Sequence, residues 1–144
     1  MPKPPYIRDT DGSTRQGKTV HPRDFSAIAV EERDLSFIRV DHQLRFQFGG
    51  TEIVIESPFT LVSDGEAHEL DPGQRAALGP VLALYPDALL ALAVGTDGDL
   101  RLGFESGASL TVPPDPHFEA WEVSGPGTRL IVCAPGGHAL SVWA

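Results

Sequence analysis

The sequence has little cysteine, no long hydrophobic run and no recognisable targeting segment. Only one of its 144 residues, Cys133, is a cysteine, which excludes a disulfide within one chain and is typical of a reducing compartment. The longest apolar run, Ala88–Val94, covers seven residues, far fewer than the ~18 that a membrane-spanning helix needs. The N-terminal residues lack the apolar core of a signal peptide. We therefore expect a cytoplasmic protein without a membrane partner.

Basic residues are scarce in the second part of the chain. Residues 1–45 carry a net charge of +1, whereas residues 46–144 carry −10, which gives −9 for the whole chain. A domain this acidic repels phosphate backbones, so we expect no nucleic acid ligand. The same field favours a basic protein as partner, although an acidic surface also serves simply to keep a small domain soluble.

The sequence also lacks the motifs of common catalytic and metal sites. None of its five histidines stands at the close spacing of zinc ligands. Cys133 lies in the apolar stretch LIVCA, where a small buried hydrophobe is expected rather than a nucleophile. Neither a phosphate-binding glycine loop nor a Gly-x-Ser-x-Gly elbow occurs. We predict a non-enzymatic protein with no catalytic residues, metal or cofactor.

What the sequence does contain is a series of strand patterns after a polar beginning. Residues 1–30 show almost no apolar periodicity and predict a mobile or loosely packed N-terminal arm, and residues 31–144 predict a single β-rich domain. In Ile38–Phe48, apolar residues recur at every second position. This pattern predicts one long half-buried strand, or two strands joined by a bend near Asp41–His42.

Turn signals and one helical pattern complete the predicted fold. Gly49–Gly50, Asp97–Gly98 and Gly136–Gly137 predict hairpins. The Asp71–Pro72 pair and the apolar stripe of residues 78, 81, 82 and 85 predict a helix at about 76–85. We therefore predict a mainly β fold with one helix: an antiparallel meander of eight or nine strands, strongly curved or barrel-like.

The stretch PPDPHFEAWEVSGPG, residues 113–127, is the least regular part of the domain. Asp115–Pro116 repeats the cap-plus-proline pattern and predicts one helical turn over DPHFEAW. The stretch is either a corner clamp whose aromatic residues close one end of the sheet, or an exposed acidic and aromatic surface that binds a partner. The candidate binding residues of that surface are His117, Phe118, Glu119, Trp121 and Glu122.

Several segments together resemble a known family. FIRVDHQLRFQF, ESPFTL, PPDPHFEAWEVSGPG and LIVCAPGGHALSVW resemble a small actinobacterial family of unknown function. The resemblance covers about Leu35–Trp143 and is most specific from Pro113 onward. It implies no catalytic residues, because none is assigned in that family. In size and acidity the chain is also similar to immunity proteins of bacterial toxin systems.

Three functions from different classes fit these observations. The first is a protein-binding domain that acts as an immunity-type or regulatory partner of a basic protein. The second is a small-ligand binder or minor enzyme that uses the barrel mouth near His42, His117 and the aromatic residues. The third is a structural homodimer formed through an unpaired edge strand or the N-terminal arm.

Overall fold

The computed structural model of the chain describes residues 6–8, 14–125 and 130–143. These residues form antiparallel sheets of seven and five strands, and a separate two-stranded hairpin. The strands in chain order are β1 (Tyr6–Arg8), β2 (Thr14–Gln16), β3 (Lys18–Val20), β4 (Phe37–Val40), β5 (Leu44–Phe48), β6 (Thr51–Ile55), β7 (Phe59–Ser63), β8 (Glu66–Leu70), β9 (Leu89–Val94), β10 (Leu100–Phe104), β11 (Ser109–Val112), β12 (Trp121–Ser124), β13 (Leu130–Cys133) and β14 (Leu140–Trp143).

The chain passes from one large sheet to the other and back. The seven-stranded sheet has the order β3-β14-β13-β12-β6-β5-β4, and the five-stranded sheet has the order β8-β7-β11-β10-β9. The chain leaves the first sheet after β6, builds the whole second sheet, and returns at β12. Two crossover segments, residues 56–58 and 113–120, make these passages. Both contain prolines, which cannot donate to a strand ladder and therefore end the strands before them.

The two large sheets pack face to face around one hydrophobic core. Phe46 of β5 and Phe104 of β10 are in contact, with ring centroids 6.4 Å apart. Period-two alternation produces this arrangement: in β5 the side chains of Leu44, Phe46 and Phe48 are buried, whereas the residues between them are half-exposed. The result is a sandwich of two sheets.

The predicted antiparallel, mainly β architecture with one helix is confirmed, but the predicted eight or nine strands and barrel-like closure are not. Within the described part of the chain, the two large sheets together contain twelve strands. Both sheets are open, with β8 and β9 at the edges of one and β3 and β4 at the edges of the other. The sequence pattern predicts one continuous meander. The two proline-containing crossovers instead divide its strands between two layers.

The helix is shorter than the predicted 76–85. A 3-10 turn at Arg75–Ala77 precedes α1 (Gly79–Leu82), the single α-helix within the described residues. Pro80 lies in the first turn and Pro86 follows closely, so little chain is left that can form helical hydrogen bonds. In the predicted apolar stripe Leu78 and Val81 are buried, but Leu82 and Tyr85 are about half exposed.

The alternating segment Ile38–Phe48 forms two strands, as the second of the two interpretations predicts. β4 ends at Val40, β5 begins at Leu44, and they pair as a hairpin. No helix within the described residues is both long and apolar enough to cross a membrane.

Part of the predicted N-terminal arm contacts the domain. β3 pairs with β14, and Phe25, Ile28 and Val30 pack against the core. The Ile28 N–H donates a hydrogen bond to the Leu92 carbonyl at 2.9 Å. Predictions for residues 1–5 and 9–13 lie outside the described residues, and the division into an arm and a domain stays a prediction.

Candidate functional site

An acidic cleft of about 420 Å³ opens where the two crossovers run side by side. Four segments line it: the β4–β5 turn, both crossovers, and the residue that follows β8. The lining residues are His42, Gln43, Glu56, Ser57, Pro58, Asp71, Asp115, Phe118 and Glu119. We call this site the acidic cleft.

Hydrogen bonds hold the two crossovers together beneath the cleft. The Glu56 N–H donates to the Ala120 carbonyl at 2.9 Å, and the Ser57 hydroxyl donates to the same oxygen at 3.5 Å. Both Ser57 and Ala120 are buried. The carboxylates of Glu56 and Glu119 are therefore carried on backbone segments that are tied to each other.

Two of the cleft carboxylates are oriented by turns of their own backbone. Asp115 Oδ1 accepts hydrogen bonds from the N–H groups of His117 (2.8 Å) and Phe118 (3.1 Å). Asp71 Oδ1 accepts one from Gly73 N–H at 2.8 Å. The predicted helical turn over DPHFEAW is wrong: the chain bends at residues 116–118 and enters β12 at Trp121. Each aspartate bonds within a turn instead of capping a helix.

The β4–β5 turn brings a further carboxylate and its counter-charges to the rim. Asp41 Oδ1 accepts a hydrogen bond from Gln43 N–H at 2.8 Å. That bond, with the nearby positive charges of Arg39 and Arg45, lowers the pKa of Asp41 below its ordinary value. The Gln43 amide in turn donates to Glu56 Oε1. The negative charge of Asp41 is thus largely balanced by the arginines of its own hairpin.

The lining of the acidic cleft is rich in carboxylates. Among the described residues it contains four carboxylates, one histidine, and no lysine or arginine. The Phe118 ring is 70% exposed beside them. Carboxylates next to an open aromatic face can hold a cationic side chain by charge and by cation–π contact.

Two of the five predicted binding residues, Phe118 and Glu119, line this cleft. His117 is exposed and lies next to them, its ring centroid 6.4 Å from that of Phe118. Glu122 lies in β12 opposite Val54 and Val132, on the outer side of the seven-stranded sheet. The structure therefore brings together only part of the predicted surface.

Trp121 is fully buried, so its predicted exposure as a binding anchor is wrong. Its indole N–H donates to the Gly98 carbonyl at 3.0 Å. It is the first residue of β12, directly after the crossover. The alternation of side chains along this strand directs it into the core. This position agrees with the corner-clamp interpretation of the stretch.

Sequence reasoning did not single out the other three acids, Glu56, Asp71 and Asp115, as cleft residues. Each stands within two residues of a proline. Prolines that end strands mark the places where the chain leaves a sheet, and acids beside them lie at the sheet ends rather than on a strand face. The position of these acids beside prolines could therefore have predicted that they lie together at the ends of the sheets.

Cys133 is placed as the sequence predicts, as a small buried hydrophobe. Burial raises the pKa of its thiol to about 12, which keeps it protonated at neutral pH. Within the part of the chain that the structure describes, no group of three or more His, Cys, Asp or Glu side chains could hold a metal ion. The wider expectation of no enzyme activity and no cofactor stays a prediction.

A second cavity, of about 400 Å³ and mostly apolar, lies between residues 27–33 and strand β9. Arg33 is one of its lining residues, and its Nη1 donates to the Leu90 carbonyl at 2.8 Å. None of the predicted binding residues reaches this cavity.

In a comparison with protein families, the model of a family of unknown function, DUF6188, matches residues 26–144. The predicted resemblance to a family of unknown function is thereby confirmed, and the match begins before the predicted Leu35. No curated protein and no solved structure matches the chain.

Proposed function

We propose that this chain, which belongs to the DUF6188 family of unknown function, binds a basic segment of another protein in its acidic cleft. The observation that carries the proposal is the composition of the cleft: among the described residues, its lining has four carboxylates and an exposed phenylalanine, and no lysine or arginine. Such a site attracts lysine and arginine side chains and repels anionic ligands.

The way the carboxylates are held supports the proposal. Glu56 and Glu119 extend from crossovers that are hydrogen-bonded to each other, and Asp71 and Asp115 are oriented by their own turns. Little side-chain and backbone freedom remains to be lost when a partner binds, and this pre-organisation favours affinity.

Phe118 supplies the apolar part of the proposed site. A large exposed aromatic ring is a frequent anchor of protein interfaces, and an arginine side chain stacks on such a ring while its fork bonds a carboxylate. We expect the partner's segment to contain arginine. Binding in the cytoplasm to a basic protein would make this chain an immunity-type or regulatory partner of that protein.

A defined cationic probe tests the proposal. We would titrate the ¹⁵N-labelled chain with a synthetic hexa-arginine peptide and follow the amide signals by NMR. Shifts are expected in the cleft residues, with an affinity that falls as salt is added, because salt screens the charges. Glu119→Lys is expected to weaken binding about tenfold, or about 1.4 kcal/mol.

The matched control is Glu105→Lys, since Glu105 is an exposed acid that does not line the cleft. It changes the net charge by the same amount and should leave binding nearly unchanged. Equal weakening by both variants, or amide shifts spread over all acidic surfaces, would show attraction by net charge alone and would overturn the proposal.

A second candidate function, small-ligand binding or a minor enzymatic activity, is favoured by the convergence of His42 with the carboxylates in the same cleft. Spermidine, a small polycation, separates the two candidates in the same titration. Binding as tight as that of the hexa-arginine peptide favours a small ligand. Much weaker binding favours an extended basic segment.

A further inference from the structure

The outer face of the five-stranded sheet carries almost no net charge. When one face of an antiparallel sheet points to water, that face is ordinarily polar and charged. Here ten residues stand at regularly alternating outward positions, of which eight are uncharged and the other two are one glutamate and one arginine, on a chain whose net charge is −9. Leu90, the extra residue where the register of β9 shifts, is exposed as well. We call these ten the neutral face: Thr60, Val62, Ala67, Glu69, Ala91, Ala93, Arg101, Gly103, Ser109 and Thr111.

The strand register arranges the neutral face in two rows. One row, from β8 to β9, is Glu69, Thr60, Thr111, Arg101 and Ala93, and the other is Ala67, Val62, Ser109, Gly103 and Ala91. The Thr60 hydroxyl donates to Glu69 Oε1 at 2.8 Å, which keeps that carboxylate on this face. Arg101 Nε donates to Asp99 Oδ2 at 2.6 Å, and the Arg101 side chain is still 62% exposed.

The two charged residues are placed so that a second copy can bring an opposite charge to each, for Arg101 in addition to its ion pair with Asp99. Glu69 and Arg101 stand in one row and three strands apart, roughly 14 Å at the usual strand spacing. A two-fold axis parallel to the strands and midway between β7 and β11 sets Glu69 of each copy opposite Arg101 of the other. The charge pattern is therefore self-complementary, as a two-fold interface requires.

The same rotation matches the remaining positions by size. It sets Thr60 opposite Thr111 in one row, and in the other row it sets Val62 opposite Ser109 and Ala67 opposite Gly103. All these side chains are small, so two sheets can approach to the ~10 Å at which stacked sheets pack.

We propose that the neutral face is an interface between two copies of this chain, packed face to face about this axis. The contact places neutral surface against neutral surface on molecules that otherwise repel each other. The overlap is four strands wide and roughly 300 Å² per copy, small beside the ~800 Å² of a standard interface. The dimer is therefore weak and depends on concentration. The proposal does not rest on the proposed function, since the acidic cleft contains none of these residues.

Sedimentation equilibrium of the full chain over a concentration series is the test. The weight-average mass should rise from the 15.4 kDa of the monomer toward twice that value. Glu69→Arg and Arg101→Glu should each weaken association about tenfold or more, because each sets like charges opposite one another. An equimolar mixture of the two variants should restore it, since every contact then joins one acidic and one basic side chain. The double variant in one chain should restore it too.

Glu66→Arg and Arg39→Glu are the matched controls, because neither residue belongs to the neutral face. Ser109→Arg adds bulk and charge at an exposed position near the axis and should leave a folded monomer, with folding checked by circular dichroism. Three results would each overturn the proposal: a monomer mass at every concentration, failure of the mixture to restore association, or a dimer that survives Ser109→Arg and both charge reversals.

Discussion

Two buried tryptophans differ in how their indole N–H groups are used. Trp121 donates to the Gly98 carbonyl at 3.0 Å, whereas Trp143 Nε1 has no hydrogen-bond partner within the described residues. Trp143 packs instead against Gly17, where an added Cβ would lie 2.6 Å from the indole ring. The same residue type thus has a polar role at one end of the sandwich and a purely apolar one at the other.

Replacing each tryptophan by phenylalanine should expose this difference. Both changes remove similar volume from a buried site, but only Trp121→Phe also removes a hydrogen bond and leaves Gly98 O with the weak Cys133 thiol donor. We expect Trp121→Phe to lower the free energy of unfolding by about 1 kcal/mol more than Trp143→Phe, as measured by urea denaturation. Equal losses would contradict the role of the Gly98 bond.

The buried thiol of Cys133 gives the stability a predictable dependence on high pH. Its pKa is raised from 9.0 to about 12 in the folded chain, chiefly by burial, so the folded state holds the proton more tightly than the unfolded state. This contribution to the free energy of unfolding is complete below pH 9 and is lost as the pH rises toward 12. Denaturation curves between pH 8 and pH 11 should therefore show a steeper loss for the natural chain than for Cys133→Ala.

The alanine variant is the needed comparison because lysines and tyrosines titrate in the same range. Iodoacetamide gives an independent check at pH 9. The folded chain should stay unmodified and become alkylated only after denaturant is added. Rapid modification of the folded chain would show that the thiol is accessible, against its burial here.

At the scale of elements, three connecting segments meet near Trp121. Gly98, in the β9–β10 turn, has a φ of +91°, and an added Cβ would lie 2.5 Å from Gly137 O. Gly137, in the β13–β14 turn, has a φ of +70°, and its added Cβ would lie 2.5 Å from Pro114. The N–H of Gly136 donates to the Asp115 carbonyl at 2.7 Å. Two hairpin turns thus fix the crossover that carries one side of the acidic cleft.

Alanine substitutions should distinguish close packing from backbone strain. In Gly98→Ala the new Cβ would clash with the carbonyl oxygen of Gly137, and the alanine would have to adopt a left-handed backbone conformation. We therefore expect the free energy of unfolding to fall by about 2–4 kcal/mol. Gly65→Ala, at a φ of +79° with open space around it, should lose only the ~1–2 kcal/mol of the strained backbone. Equal losses in chemical denaturation would show that the turns do not press on one another.

Features set by neighbouring residues could be predicted from the sequence, and features set by distant residues could not. The β5–β6 and β9–β10 hairpins were predictable because alternation and Gly turns act within a few residues. The acidic cleft depends on Glu56 reaching Ala120, a contact that no local pattern encodes. The choice between the two interpretations of Trp121, a buried corner clamp or an exposed binding residue, could not be made from the sequence for the same reason: its burial follows from which sheet the crossover enters.

At the scale of the whole molecule, the net charge of −9 acts in opposite directions on the two proposed associations. Salt near 0.15 M, with a Debye length of about 8 Å, screens the long-range repulsion between two copies, while exposed ion pairs such as Glu69 with Arg101 are worth only about 0–1 kcal/mol. We expect self-association to strengthen with salt and hexa-arginine binding to weaken. Parallel sedimentation and titration series would check this, and a shared direction of change would contradict it.

The order in which the strands leave the ribosome differs from their order in the sheets. The five-stranded sheet is contiguous in sequence, but β6 cannot pair with β12 until the residues between Ile55 and Trp121 have been made. At ~5–20 residues per second, that wait is on the order of several seconds. During it, one edge of the apolar segment TEIVI has no partner, and unpaired edges promote aggregation. We therefore expect the tendency of a newly made chain to aggregate to fall once β12 has been synthesised and pairs with β6.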